Sequence, residues 1–438
     1  MEIIRFRKLW SAMALALILV VVTSAYSSSH SPASASSSGP LTVAMVQPFS
    51  GPDGRYGPEL GSGCYAAAVI IGRAGGVLGH KSVNCLPVDT RGDPVDAVPA
   101  VGKMLATSSQ LIGVLGPSSD EASATVPLIT TAKVPMFADT GQVQFDHNTS
   151  PYFWRSLPSD DFYGYAMAKW AYDRGYRRAV LVFGNDIGSQ GSVPTLIKGF
   201  KKLGGKILIN EAVPLDQSSY QSVAAKVAAL KPDVIFNELD PQTAATFFGE
   251  LQQLHPGLFP LVATSSSMTP WLTAVAQAVG KKTIAHVYTD VFGASPPSTG
   301  SAYKDFKTGL LAPSTATHVS KPAQYSQDLF AESWYDSTIT YALAALNGHS
   351  TQSSIINSNI LKVVTPGKGI EVVHTFAQGK RALVAGRRID YVGATGQLTF
   401  NKYHNSLVGF EVLGYASTEN QQKVLKVYPA SSVATLVG

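Results

Sequence analysis

"LIGVLGPSSDEASATVPLITTAKVPMFAD", residues 111–139, is the stretch that decides how this chain folds. Its first six residues form an unbroken apolar run, as expected of a strand buried on both faces. A Gly-Pro pair then turns the chain, and Ser118-Ser119-Asp120-Glu121 opens a helix that runs to about Thr131. "VPMFAD", 134–139, reads as the next strand. Strand, short helix and strand at this spacing predict two parallel neighbours joined by a right-handed crossover.

The same alternation extends in both directions. Strands are predicted at 41–47 and 81–89, with helices over 58–76 and 94–107. Beyond residue 160 a helix over 161–175 precedes strands at 177–184, 206–213, 233–239, 259–264 and 283–290, again separated by helical stretches. The chain has 438 residues, more than the ~250–300 at which one core usually stops growing. Two successive βα sets therefore predict two doubly wound α/β lobes, with a ligand between them at the carboxyl ends of the strands. After a long helix over 323–348 the character changes, and 370–428 is rich in short strands and turns. That stretch is too irregular for a third lobe and is expected to return to the two already built.

Composition narrows the function. The net charge is +5, and part of it lies in Arg5, Arg7 and Lys8; the remaining basic residues are scattered among acids, so nucleic acid is not an expected partner. "MEIIRFRKLWSAMALALILVVVTSA", 1–25, has the basic start, apolar run and small residues of an export signal, with an uncleaved N-terminal anchor as the alternative. A Ser-rich linker follows at 26–40. No Cys follows the apolar run, so a lipid-modified terminus is not encoded, and the expected location is periplasmic or cell-surface. In an oxidising compartment Cys64 and Cys85, the two cysteines of the chain, are expected to pair; two buried thiols are the alternative.

Motifs of catalysis are missing. No HExxH, GxSxG or Walker A pattern occurs, the histidines lie far apart, and no metal or cofactor is expected. "GSGCYA", 61–66, matches a dinucleotide pattern in form, but it does not follow a strand directly, and it reads as small residues that let a helix pack closely. What stands out instead is polar residues at strand-to-helix corners. At 118–121 the serines and acids either cap a helix or, with free N–H groups, hold an anion. "ADTGQ", 138–142, brings Thr140 and Gln142 beside that corner, and "FSGPDGRYG", 49–57, adds Tyr56 to the same rim.

These pieces together resemble a known family. The opening 41–81, with S-G-x-x-x-x-Y-G after a strand and G-G-x-x-G after a helix, is similar to the periplasmic solute-binding proteins of branched-chain amino-acid (Leu/Ile/Val-binding) ABC transporters. "VDTRGDPVDAV", "GVLGPSSDEASATVPLI", "VPMFADTG", "YDSTITYALAAL" and "ATGQLTFNKYHNSLVGFEV" follow in the family's order, and the likeness covers roughly 41–415. The resemblance implies a type I periplasmic-binding fold, two lobes joined by three crossovers. The expected lobes are 41–158 plus about 291–385, and 159–290 plus about 386–430. It implies ligand-carboxylate contacts for Ser118, Ser119 and Thr140, with Gln142 in place of a usual threonine, and a ligand-proximal Tyr56.

The second lobe departs from the family pattern. Ile187 replaces an expected tyrosine, and Ser265, in "TSSSM", stands nearest an expected glutamate that pairs with a ligand ammonium. Either Glu238 or Asp240, in "FNELDP", takes over that pairing, or the ligand carries no ammonium. The implied function is non-enzymatic: an exported substrate-binding component that delivers a small polar, carboxylate-bearing, amino-acid-like ligand to the membrane subunits of an ABC importer. A membrane-anchored ligand-sensing receptor domain is the alternative.

Overall fold

The computed structural model describes residues 39–438 apart from 81, 265–268, 294–299, 408, 417–420, 430, 433–435 and 437–438. The expected export signal and most of the linker lie outside the described residues, as does Ser265. Five strands make the first sheet: β1 (Leu41–Gln47), β2 (Val83–Asp89), β3 (Leu111–Ser118), β4 (Met136–Asp139) and β5 (Phe153–Arg155), all parallel in the order β2-β1-β3-β4-β5. The apolar runs of the sequence explain this sheet, since helices cover both faces: every residue of β1 is buried, and so are six of the eight in β3. Helices α1 (Gly57–Arg73), α2 (Pro94–Thr107) and α3 (Ser119–Thr131) connect the first four strands.

The second set runs from α4 (Asp160–Asp173) through β6 (Arg178–Gly184), α5 (Ile187–Gln190), α6 (Val193–Lys202), β7 (Lys206–Val213), α7 (Gln221–Leu230), β8 (Val234–Glu238) and α8 (Pro241–Leu254). It continues with β9 (Leu261–Thr264), α9 (Thr269–Val279), α10 (Lys281–Val287) and β10 (Tyr288–Phe292). A third, small sheet holds β11 (Glu371–Val373), β12 (Ile389–Gly393) and β13 (Gly396–Gln397). The last strands, β14 (Phe410–Ala416) and β15 (Gln421–Tyr428), complete the second sheet in the order β15-β14-β10-β9-β8-β6-β7, with β14 and β15 antiparallel to their neighbours.

The long helix, Leu329–Gly348, is buried along nearly its whole length beside the first sheet, polar Glu332, Asp336, Thr338 and Thr340 included. Its buried Asp336 is satisfied by four donors, the Tyr391 hydroxyl, the N–H groups of Ala394 and Thr395, and the Thr395 hydroxyl, at 2.7–2.9 Å. α1 lies so close to it that a Cβ on Gly63 would fall 2.0 Å from the Ala331 carbonyl oxygen. "GSGCYA" is thus a packing face. Cys64 and Cys85 form a disulfide that ties α1 to β2, with Cα atoms 6.1 Å apart.

Two expectations fail. Residues 283–287, expected in a strand, are the helix α10, because Ile284 and Val287, three apart, are buried together while His286 between them is exposed. The β-branched residues that suggested a strand are overridden by that packing. The return to the second lobe expected at about 386 comes later: Ile389, Tyr391 and Ala394 are buried in the same core as β1 and the long helix, and the chain rejoins the second sheet only at Phe410.

Candidate functional site

The carboxyl ends of the parallel strands of the two large sheets face a common cavity of about 150 Å³. From the first sheet come Gln47 at the end of β1, the loop carrying Asp53 and Tyr56, Ser118 and Ser119 after β3, and Asp139 at the end of β4. From the second come Asp186 and Gly188 after β6, Leu215 after β7, and Glu238 and Asp240 after β8. A volume of this size suits a molecule on the scale of benzene rather than a peptide.

Local structure sets each wall. Asp89 holds the loop after β1 by accepting from the N–H groups of Phe49 and Ser50 at 2.9 and 3.1 Å and from the Ser50 hydroxyl at 2.6 Å. That places half-buried Asp53 and Tyr56 on the rim. The corner after β3 begins with Gly116 at φ +93°, where a Cβ would meet the Val46 carbonyl oxygen at 2.1 Å. Ser118, not Ser119, is the N-cap of α3, and Glu121 reaches back to it, accepting from its N–H at 3.2 Å and its hydroxyl at 2.8 Å. Thr90 donates to the same Glu121 oxygen at 3.1 Å. Ser119 bonds Thr140 hydroxyl to hydroxyl at 3.1 Å.

Thr140 and Gln142, expected as ligand contacts, bond to Ser119 and to each other beside the cavity. Both are buried, and of the segment 140–142 only Gly141 lines the cavity. The Gln142 amide nitrogen donates to the Ser119 carbonyl, and the Thr140 hydroxyl accepts from the Gln142 N–H at 3.3 Å. Behind this loop lies Arg155, whose side chain is fully buried. It pairs with Asp146, donates to the Asn405 side chain at 2.9 and 3.0 Å, and donates to the Gln142 carbonyl at 3.2 Å. The sequence reading passed over Arg155; its place in the strand "FWR" was the available signal.

The opposite corner is arranged differently. Asp240 is the N-cap of α8: its Oδ1 accepts from the N–H groups of Gln242 and Thr243 at 2.9 and 3.2 Å, and its Oδ2 has no protein partner. Glu238 is half-buried beside it on the cavity wall. Asp186 repeats the pattern on α5, with Oδ1 on the Ser189 N–H at 2.7 Å and Oδ2 unpartnered.

Contacts around the rim join the two sides. Asp120 Oδ1 accepts from the N–H groups of Ile187 and Gly188 at 3.1 and 3.4 Å. The Thr269 N–H donates to Glu59 at 3.2 Å, and its hydroxyl to Asp328 at 3.0 Å. Ile187, standing where a tyrosine was expected, is more than half exposed and serves through its backbone.

The electrostatics are one-signed. Asp53, Glu59, Asp120 and Asp139 line the cavity on the first side. Asp160, Asp186, Glu238 and Asp240 line it on the second, and no Lys, Arg or His is among the lining residues described. Burial, reinforced by neighbouring Asp186 and Asp120, pushes the Asp53 carboxyl up to about 8. Burial likewise raises Asp139 and Asp160 to about 7 and Asp120 to about 6, the last helped by Asp186. Glu59 is raised well above the ordinary range by burial and by Asp328.

Comparison with known proteins places this architecture. Residues 40–255 match the family model described as periplasmic binding protein. A Leu/Ile/Val-binding protein of Rhizobium johnstonii is 25% identical over 206 residues, 45% of this chain and 53% of its own length. The chain thus spans about half the length of that curated relative. Among solved structures, a leucine-binding protein of Thermotoga maritima superposes with a TM-score of 0.69 at 17% identity, covering 90% of this chain and 99% of its own. A branched-chain amino-acid transporter substrate-binding protein of Streptococcus pneumoniae, in complex with isoleucine, gives 0.69 at 19% identity, covering 89% and 99%. A solute-binding protein of an ABC transporter from R. palustris, in complex with benzoate, gives 0.69 at 16% identity, covering 89% and 97%.

Proposed function

We propose that the chain is a periplasmic binding protein, the family its residues 40–255 match, and that it is a substrate-binding protein rather than an enzyme, the exported solute-binding component of an ABC importer. Its cargo is a small polar solute taken up between the two lobes and delivered when they open. The observation that carries this reading is the cavity itself, built from loops at the carboxyl ends of both sheets and bridged at its rim by Asp120 and Thr269. Association with the importer's membrane subunits and residence outside the cytoplasm follow from the same reading.

The two corners offer a cargo different chemistry. A carboxylate would meet Ser119 and the Gln47 amide on the first side, and an ammonium would meet Glu238 and Asp240 on the second. Thr140 then acts behind Ser119, while the Ser118 hydroxyl on the cavity wall is engaged by Glu121. Mass spectrometry of what is released on denaturing the purified protein tests the reading, together with calorimetric titration against amino acids, amines, amides and short-chain acids. One small solute bound per chain is the expected result. Saturable binding of none of them, by a folded protein, overturns it.

A further inference from the structure

A cavity meant for a zwitterion of net charge zero should balance its charges. This one does not. Each side contributes four carboxyl groups, and no basic side chain described here lines either. Three of the polar side chains on its wall are almost wholly buried and yet incompletely bonded. Gln47 is 0% exposed with both ends of its amide unpartnered, Glu59 is 0% exposed with Oε2 unpartnered, and Asp240 is 4% exposed with Oδ2 unpartnered. Asp139 Oδ1, Asp160 Oδ2 and Asp186 Oδ2 are buried without partners as well.

Unpartnered buried carboxylate oxygens cost free energy, so a chain is expected to place several around one cavity only where something supplies donors. Among the described residues no group of three or more His, Cys, Asp or Glu is arranged to hold a metal ion, which turns the argument from a bare cation to an organic one. The rest of the wall agrees, since Leu60, Leu157, Leu215, Leu239 and Phe330 supply apolar surface between the acids. We infer that the solute of this cavity is a small organic cation, an ammonium or guanidinium carried on a compact apolar body, held by Asp240 on the second side with the Gln47 and Glu59 side-chain oxygens as hydrogen-bond acceptors on the first. The inference rests on the solute-binding reading above and decides the open question of the ammonium.

The raised carboxyl values give this binding a pH signature. On the first side Asp53, Glu59 and Asp139 are pushed upward by burial, and on the second Asp160 is, while Asp120, Asp186, Glu238 and Asp240 face the same space. A cation binds the deprotonated wall, so its uptake releases protons and its affinity rises with pH between about 6 and 8.

The test is calorimetric titration of the full chain at pH 7.5 with butylamine, 1,4-diaminobutane and agmatine, beside isoleucine, benzoate and calcium chloride. Saturable binding of at least one of the three amines is expected, weakened about tenfold or more in Asp240→Asn, the loss expected for one hydrogen bond to a charged group. Asparagine keeps an acceptor for the α8 cap, so this variant is expected to fold; Glu59→Gln is the second variant, read only after circular dichroism shows native structure. Binding of isoleucine or benzoate with no response to any amine overturns the cation and leaves the solute-binding reading standing. So does a response to calcium alone. No binding of any probe by folded protein removes both.

Discussion

The two strand-to-helix corners that face each other across the cavity begin alike and end differently. At the first, Ser118 caps α3 and Glu121 binds back to it, so the hydroxyl and the N–H are spent within the corner, and Asp120 is spent on the Ile187 and Gly188 N–H groups opposite. At the second, Asp240 caps α8 with one oxygen and leaves the other on the cavity wall. One acid-rich corner is a lock and the other a receiver. What separates them is not residue type but how many donors the corner's own backbone and neighbours bring to each carboxylate.

Breaking the lock should have the largest effect. Glu121 is fully buried and accepts from half-buried Ser118 and buried Thr90, so Glu121→Ala leaves three donors without their partner and should cost about 3 kcal/mol of stability, read from urea unfolding. The same residue carries a pH effect. Burial pushes its carboxyl up to about 7 from an ordinary value of 4.5, so the folded protein holds a proton that the unfolded chain gives up earlier. Its favourable contribution is complete below about 4.5 and is lost as pH rises through 7, and Asp53, pushed up to about 8, acts in the same sense. The melting temperature of ligand-free protein should therefore fall between pH 5 and 8, with a shallower slope in Glu121→Gln; a flat wild-type profile would show that these groups are not buried in solution as they are here.

The asymmetry also explains what could be read from the sequence. The alternation of apolar runs and capped helices made the two sheets legible, down to β1, β7, α2 and α3, whose ends match the sequence reading residue for residue. It failed where a β-branched run was packed as α10, and where β12 stayed in the first core, because both depend on tertiary neighbours that no local pattern announces. Tyr56, Ser118 and Ser119 were singled out from corner position and Glu238 and Asp240 from the departure from the family pattern; all five line the same cavity, from its two sides, while Thr140 and Gln142 do not line it. The acidity of that wall was not legible. Asp160, Asp186 and Asp240 each sit at a helix start, where one acid needs no further reason, and only the fold reveals that all three line one cavity.

A smaller effect is expected from the latch. Asp120→Ala removes the acceptor that joins α3 to α5 across the rim without touching either core. The ligand-free protein should spend more time open, seen as a larger radius of gyration in X-ray scattering, and solute affinity should fall about tenfold, about 1.4 kcal/mol. Because burial and Asp186 push Asp120 up to about 6 from an ordinary 3.8, the closed protein holds this proton more tightly than an opened one, so raising the pH through 6 should favour opening in the wild type and do so less in Asp120→Ala. A variant that keeps wild-type scattering and affinity would reduce the lock to the Glu121 bonds alone.

The smallest change is the most discriminating. If Asp240 Oδ2 serves only what enters the cavity, then Asp240→Asn, which preserves an acceptor for the Gln242 and Thr243 N–H groups, should leave ligand-free stability within about 0.5 kcal/mol of wild type. Asp240→Ala, which loses the cap, should cost about 1 kcal/mol in the same urea titration. The contrast with Glu121, where truncation is costly because the corner uses every bond it makes, is then quantitative. A loss in Asp240→Asn as large as in Asp240→Ala would mean that the charge itself stabilises α8 in the empty protein. The second corner would then be a lock like the first, and the receiver would have to be sought at Glu59 and Asp139 instead.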